Sequence, residues 1–404
     1  MMRKRRGVYL LFMLSMLFVG ACGKRPTEID NIDTAEELNQ AFIDVSKAVE
    51  IVLSPDEGAQ DMLATETFAE KRYGTNGDIL WEIVYSRRNE ESGFYSIYHE
   101  LDVEENEYLV QFFRVDLKTN EREMLYESRN PDRLTEIEVT DSFLYWTENV
   151  LYESGGVATR VMQYELATGE VRCIAESEKM VHAELRVSEQ YVVWCEESGE
   201  GWWEIVFYDV HKQEFHTLPG IKRSTLGGQG APEILAGFRP FSSLDIIDGG
   251  ITFFSEAGEG NTYINRYDLN TRTMDAQLLI EGRGTEMAGC FSSKRYIGWQ
   301  LGDRLEGRKY YYYDRDSGSL YCIRGENKKA GLLSQWFSDY LYFHYKDPDK
   351  DGDFLFVLDP ASGKVWQQKL EGYGRQFREY GSGQVCVEVL TGEEQKLFTI
   401  QIPQ

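Results

Sequence analysis

A chain of 404 residues carrying 68 acidic against 43 basic side chains has a formal charge of −25, which argues against nucleic acid as a partner, because phosphate binding needs clustered positive charge. The same acidity sets the body against an anionic membrane surface and keeps an exported domain soluble. Beyond Cys22 the cysteines Cys173, Cys195, Cys290, Cys322 and Cys386 are scattered without a CxxC pair, so neither a disulfide framework nor a zinc site is signalled and buried free thiols are expected.

At the start of the chain, Arg3, Lys4, Arg5 and Arg6 precede an apolar run over residues 8–19, which ends in Gly20 and Ala21 directly before Cys22. That run is shorter than the ~20 residues a helix needs to span a bilayer. A basic start, a short apolar core and small residues before a cleavage point read as a secretory signal over residues 1–21. The sequence VGAC at residues 19–22 resembles the lipobox of bacterial lipoproteins. The resemblance implies that the Cys22 thiol receives a diacylglyceryl group, holding the protein at the cell membrane and facing outside the cytoplasm. Gly23 stands where that family's inner-membrane retention signal has an aspartate.

Residues 22–33 are polar and read as a tether. Thr34 and Glu37 fit a capping box, and Leu38, Phe42, Val45, Val49 and Val52 follow at alternating spacings of four and three. The spacing predicts a helical segment within residues 34–66, its apolar stripe packing on the following domain or on a partner helix.

From there a repeat runs to the end. VDLKTN (115–120), YELATG (164–169), YDVHKQ (208–213), YDLNTR (267–272), YDRDSG (313–318) and LDPASG (358–363) share an acid followed by a polar turn. The acids Asp116, Glu165, Asp209, Asp268, Asp314 and Asp359 are separated by 49, 44, 59, 46 and 45 residues. A period in the forties is that of propeller blades of four strands each. The carboxylate can accept backbone N–H groups in the turn, and Thr-Gly or Ser-Gly supplies a residue tolerant of positive φ. Upstream of five of these phrases stands an aromatic-rich strand: DSFLYWTE, EQYVVWCEE, GGITFFSE, KRYIGWQL and SDYLYFHY. Blade starts fall near residues 80, 134, 182, 243, 288, 331 and 375. The fold class expected is all-β: a seven-bladed β-propeller over residues 67–404, preceded by a short helix. The last repeat ends after its third strand, so the stretch TFAEKRY (67–73) is expected to close the ring by pairing into it. The pattern resembles WD-repeat and TolB-type propellers, without the tryptophan-aspartate ending of true WD repeats.

The chain has no GxSxG elbow, HExxH, Walker A loop or Rossmann glycine fingerprint, and no catalytic residue is assigned. The five histidines read as strand-borne or exposed. Asp347, Asp349, Asp351 and Asp353, with Gly352, resemble the opening of an EF-hand-type calcium loop, but Leu355 and Leu358 stand at its ninth and twelfth positions. Two readings stay open there, a structural calcium ion and a plain Asp-Gly hairpin turn. The oversized connection over residues 218–242 carries Lys222, Arg223, Phe238, Arg239 and Phe241, and a neighbouring loop holds Trp202 and Trp203. Aromatic and arginine side chains on one rim have the composition of a binding hot spot. The functional expectation is a lipid-anchored, non-enzymatic scaffold with a protein partner. A glycan-processing enzyme, or a sensor of a glycan or small ligand on the same face, is the alternative.

Overall fold

The computed structural model describes residues 27–28, 33–55, 60–71, 79–85, 92–102, 107–116, 119, 121–130, 137–151, 156–178, 185–199, 202–218, 245–258, 261–280, 287–303, 307–327, 331–337, 340–349, 353–370, 372–381, 384–391 and 394–402. These residues form an all-β structure whose strands group into seven sheets. In chain order the sheets span residues 79–130, 138–177, 186–218, 245–280, 287–325, 331–370 and 373–401, each an antiparallel meander. The first strands of the first five sheets lie beside one another in chain order, as do those of the sixth and seventh. First strands begin at Ile79, Glu138, Arg186, Asp245, Met287, Gly331 and Tyr373, within a few residues of the starts read from the repeat.

Both faces of the middle strands of the second to sixth sheets are packed, and alternation sends neighbours to opposite sides. In the strand Tyr191–Gly199, Val192 and Trp194 pack against Tyr145 and Val161 of the second sheet. Val193 and Cys195 pack the other way, against Ile251 and Phe253 of the fourth. The fourth residue of the aromatic strand repeatedly faces the preceding sheet: Trp146 meets Phe112, Trp299 meets Phe254 and Ile264, and Phe343 meets Tyr310. Two of these indoles satisfy their N–H within the repeat, Trp146 Nε1 donating to Glu148 Oε1 and Trp194 Nε1 to Glu196 Oε1, both at 2.9 Å. Trp299 has Leu301 at the equivalent position, and its Nε1 has no partner among the described residues.

The recurring acid does what its position in the phrase implies. Asp209 Oδ1 accepts from the backbone N–H of His211 and Lys212 at 3.1 and 3.0 Å, and Asp268 Oδ1 from Asn270 and Thr271 at 2.8 and 2.9 Å. Asp314 and Asp359 receive similar bonds. The sixth residue of the phrase then donates its N–H to the acid's own carbonyl, as from Gly169 to Glu165 and from Gly363 to Asp359, both at 2.8 Å. That residue has positive φ, whether glycine (Gly169, Gly318, Gly363) or not (Gln213 at 56°, Arg272 at 59°).

The N-terminal segment differs from the expectation. In place of a helix, strands run along the outer edges of successive sheets. Thr27–Glu28 pairs parallel with the third sheet, Asp33–Ile43 with the fourth, Val49–Leu53 with the fifth and Gln60–Asp61 with the sixth. Leu63–Lys71 then pairs antiparallel with Glu394–Gln401 and is the fourth strand of the seventh sheet. The stretch read as tether over residues 22–33 thus already contributes strand residues at Thr27, Glu28 and Asp33. Among the described residues the one helical turn is Val45–Lys47, a 3₁₀ turn capped by Asp44, which accepts from Ser46 N at 3.1 Å.

Burial explains why the strand form prevails. The supposed stripe residues Phe42, Val49 and Val52 are 60%, 57% and 43% exposed, whereas Ile43 and Leu53 are 4% and 1% exposed. Ile43 enters the core between the fourth and fifth sheets, Leu53 that between the fifth and sixth, and Met62 that between the sixth and seventh. A helix could lay one stripe on one surface. An extended strap reaches three separate cores and satisfies the open ladder of each outer strand. Ion pairing from Glu50 to Arg324 at 2.5 Å, and hydrogen bonds from Ser54 Oγ to Glu326 and from Glu326 N to the Leu53 carbonyl, fix the strap on the fifth sheet. Leu53→Ala is therefore expected to lower unfolding stability by about 2–5 kcal/mol in urea titration, while Val52→Ala, one residue away, should leave it nearly unchanged.

Candidate functional site

Each sheet has two ends. At one lie the acid-bearing turns between third and fourth strands together with the short connections between first and second strands. At the other lie the hairpins between second and third strands. The described chemistry of the first end is spent on structure. Besides the turn bonds, Tyr191 OH donates to the Leu269 carbonyl at 3.2 Å, and Glu189 Oε1 accepts from Asp141 N at 2.7 Å. Lys294 N donates to Asp248 Oδ2 at 3.1 Å, again between neighbouring sheets. Arg295 forks onto Asp314 at 3.1 and 3.0 Å; the Asp314 carboxyl stays below its ordinary value because Arg295 and the turn amides outweigh the opposing effect of burial.

The opposite end holds the expected partner face. Trp202 and Trp203 open the third strand of the third sheet, paired with Gly199 and Glu197 across the hairpin. The outer strand of that sheet ends at Leu218, opposite Ile205, and the next strand begins at Asp245. Both strand ends that flank the long connection thus lie at the end of the third and fourth sheets that carries their second-to-third hairpins. Lys222, Arg223, Phe238, Arg239 and Phe241 lie outside the described residues, as does Cys22.

The Asp-rich run opens the hairpin between the second and third strands of the sixth sheet. Asp347 Oδ1 accepts from Asn327 Nδ2 at 2.7 Å and from Asp349 N at 2.9 Å, while its Oδ2 accepts from Tyr345 OH at 3.1 Å. Asn327 also donates to Asp349 Oδ2 at 2.9 Å. Burial foremost, joined by the Asp347 carboxylate, pushes the Tyr345 phenol up to about 12. Asp353 turns elsewhere, to His344 Nε2 at 2.8 Å. Asp347 and Asp349 thus share the Asn327 amide while Asp353 is engaged by His344, and Asp351 lies outside the described residues. No group of three or more His, Cys, Asp or Glu side chains among the described residues is placed to hold a metal ion.

Two of the strand-borne histidines are buried. His344 is held below its ordinary value of 6.5 by burial, against the opposing pull of Asp353. His216 is shifted the same way by burial and by Arg272, whose Nη2 lies 2.9 Å from the ring. Cys195, Cys290 and Cys322 are buried and outside any disulfide, as the scattered spacing implies, whereas Cys173 is disulfide-bonded.

Sequence reasoning missed one buried charge cluster. Arg266, fully buried in the fourth sheet, pairs with Asp275 and donates to the carbonyls of Ile247 and Asp248 at 3.4 and 3.3 Å. Arg315 of the fifth sheet lies 3.7 Å from the same Asp275 and donates to the Asp275 and Lys294 carbonyls. A Cβ on Gly250 would come within 2.4 Å of the Arg266 guanidinium, so that close approach requires glycine. The signal was an arginine inside the buried strand Asn261–Asp268. A network shared by two sheets around the fully buried Arg266 is a packing device, since leaving a buried charge unpaired costs several kcal/mol.

No protein-family model matches the sequence, nor does any curated protein sequence. Among solved structures the chain is similar to the β-propeller domain of the Trilobed protease from Pyrococcus furiosus. There the TM-score is 0.55 at 14% identity, over 83% of this chain and 94% of that one. It is also similar to the uncomplexed acylaminoacyl peptidase of Pyrococcus horikoshii, with TM-score 0.52 and 11% identity over 80% of this chain and 52% of that one. The chain thus spans about half the length of that peptidase. The WD40 domain of Toxoplasma gondii coronin aligns at a TM-score of 0.49 and 9% identity, over 88% and 89% of the two chains, too low to add to the argument. At these identities the likeness shows the fold alone, a β-propeller.

The two buried histidines set a pH dependence. In the unfolded chain each takes up a proton as pH falls through about 6.5, while the folded chain resists, so stability falls below that pH. Asp209 and Asp314, both held below the ordinary aspartate value of 3.8, lose their contribution only near and below that value. The melting temperature is expected to decline between about pH 7 and 5.5, and His216→Gln should flatten part of that decline in a differential scanning series.

Proposed function

We propose that the chain is a lipid-anchored, extracytoplasmic scaffold, held by acylated Cys22, whose seven sheets close into a seven-bladed propeller that presents one end to a protein partner. The single observation that supports this reading is topological. The Trp202–Trp203 hairpin and both strand ends flanking residues 219–244 share one end of neighbouring sheets, while the described acids of the other end are engaged in turns. A working face built from Trp202, Trp203, Arg223, Phe238, Arg239 and Phe241 would combine aromatic anchors with positive charge on an acidic body, as protein-binding hot spots do. The chemistry required is recognition, and none of the residues named needs to act as acid, base or nucleophile.

Two measurements test the reading. Cys22→Ser is expected to move the protein from the membrane fraction to the soluble one, and retention in membranes would contradict the anchor. Residues 23–404 used as bait in native envelope extract should retain a protein that a Trp202→Ala, Trp203→Ala, Arg239→Glu bait loses. Equal retention by both baits would place the working face elsewhere.

A further inference from the structure

The described residues expose few large apolar side chains: Phe42, Val49, Val52, Met124 and Val157. Three of these five fall within residues 42–52 of the N-terminal strap. Phe42 stands beside Leu279 on the outer edge of the fourth sheet, and Val49 and Val52 beside Tyr321 and Arg324 on that of the fifth. They are not needed for the core, which the strap serves through Ile43, Leu53 and Met62. The charges of the same arc cancel locally. Lys47 stands 3.3 Å from Asp44, and Arg324 holds Glu50. On a protein with a formal charge of −25, an arc that is apolar and locally neutral is set apart from the rest of the surface.

The direction of the chain adds a second, independent constraint. Upstream of this arc the strap begins at Thr27–Glu28, beside His216 and Thr217 on the outer edge of the third sheet. Cys22 precedes Thr27 by five residues, a reach of about 17 Å when fully extended. A lipid carried at Cys22 would therefore hold the outer edge of the third sheet, where Thr27–Glu28 pairs, within about that distance of the bilayer.

We propose that this arc of the rim rests on the bilayer surface, with Phe42, Val49 and Val52 in the interfacial layer, so that the protein stands edge-on to the membrane. The inference deepens the lipid-anchor reading and rests on it. An acyl anchor gains firmness from a second apolar contact, and local neutrality removes the repulsion that the acidic body would otherwise meet at anionic lipid. Edge-on seating turns both ends of the sheets along the membrane, open to partners on either side.

The test uses the full chain, processed and purified from bacterial membranes and reconstituted in vesicles of phosphatidylcholine and phosphatidylglycerol. A lipid-borne carbene probe is photolysed and its adducts are mapped by mass spectrometry. The expected result is several-fold more adduct over residues 42–52 than around Met124 and Val157, which are comparably exposed. A variant with Phe42→Ser, Val49→Ser and Val52→Ser should lose that excess without a change in melting temperature. Acylated Cys22 with no excess over residues 42–52 would overturn the edge-on seating alone. An N-terminal peptide without acyl mass would overturn the anchor and the seating together.

Discussion

Every sheet from the second to the sixth is apolar on both faces, and that constraint governs the rest. Val192 and Trp194 point one way, Val193 and Cys195 the other, and all four are buried. A four-stranded sheet with two such faces cannot stand in water; each must be covered by a neighbour, and that neighbour's far face by the next. Six successive interfaces of this kind, from the first sheet to the seventh, account for the described core. Apolar burial of this extent is the dominant favourable contribution to folding.

Stacking solves the faces and leaves the edges. Outer strands present a row of backbone groups that would pair with any extended chain; the N-terminal segment covers four of them and supplies the fourth strand of the seventh sheet itself. The strap does more than cover. Because its buried residues fall into three different inter-sheet cores, it ties neighbouring sheets together across the seams where they would part. Polar chemistry follows the same economy. The recurring acids hold turns, Arg266 and Arg315 share Asp275 across one seam, and His344 is matched by Asp353.

The repeat was legible because it is written in local chemistry. An acid, a polar pair and a residue that tolerates positive φ specify one hairpin wherever they occur, and an apolar run with aromatic residues specifies a strand buried on both sides. Sheet starts could therefore be read to within a few residues. The strap was not legible, for an equally physical reason. Leu38, Phe42, Val45, Val49 and Val52 fit a helical period, and what overrides it is tertiary: unfilled outer edges supply ladder hydrogen bonds that no local window contains. The Arg266 cluster depends on contacts between sheets that no local window contains, and an arginine within the strand Asn261–Asp268 is its one trace in the sequence. Of the candidate site, topology sets Trp202 and Trp203 at the same end as the flanks of the long connection, while the Asp-rich run divides its described carboxylates between Asn327, Tyr345 and His344.

The strap links the two halves of the account, since it is both the seam of the fold and the route by which an anchor at Cys22 would fix the propeller's orientation. Amide hydrogen exchange on the full chain tests it most directly. Amides of residues 39–43 and 49–53 are expected to be protected together with the outer strands they pair with in the fourth and fifth sheets, as members of one cooperative unit. Exchange of those amides at the rate of unstructured chain, with the fourth and fifth sheets still protected, would contradict the strap and with it the seating of the rim.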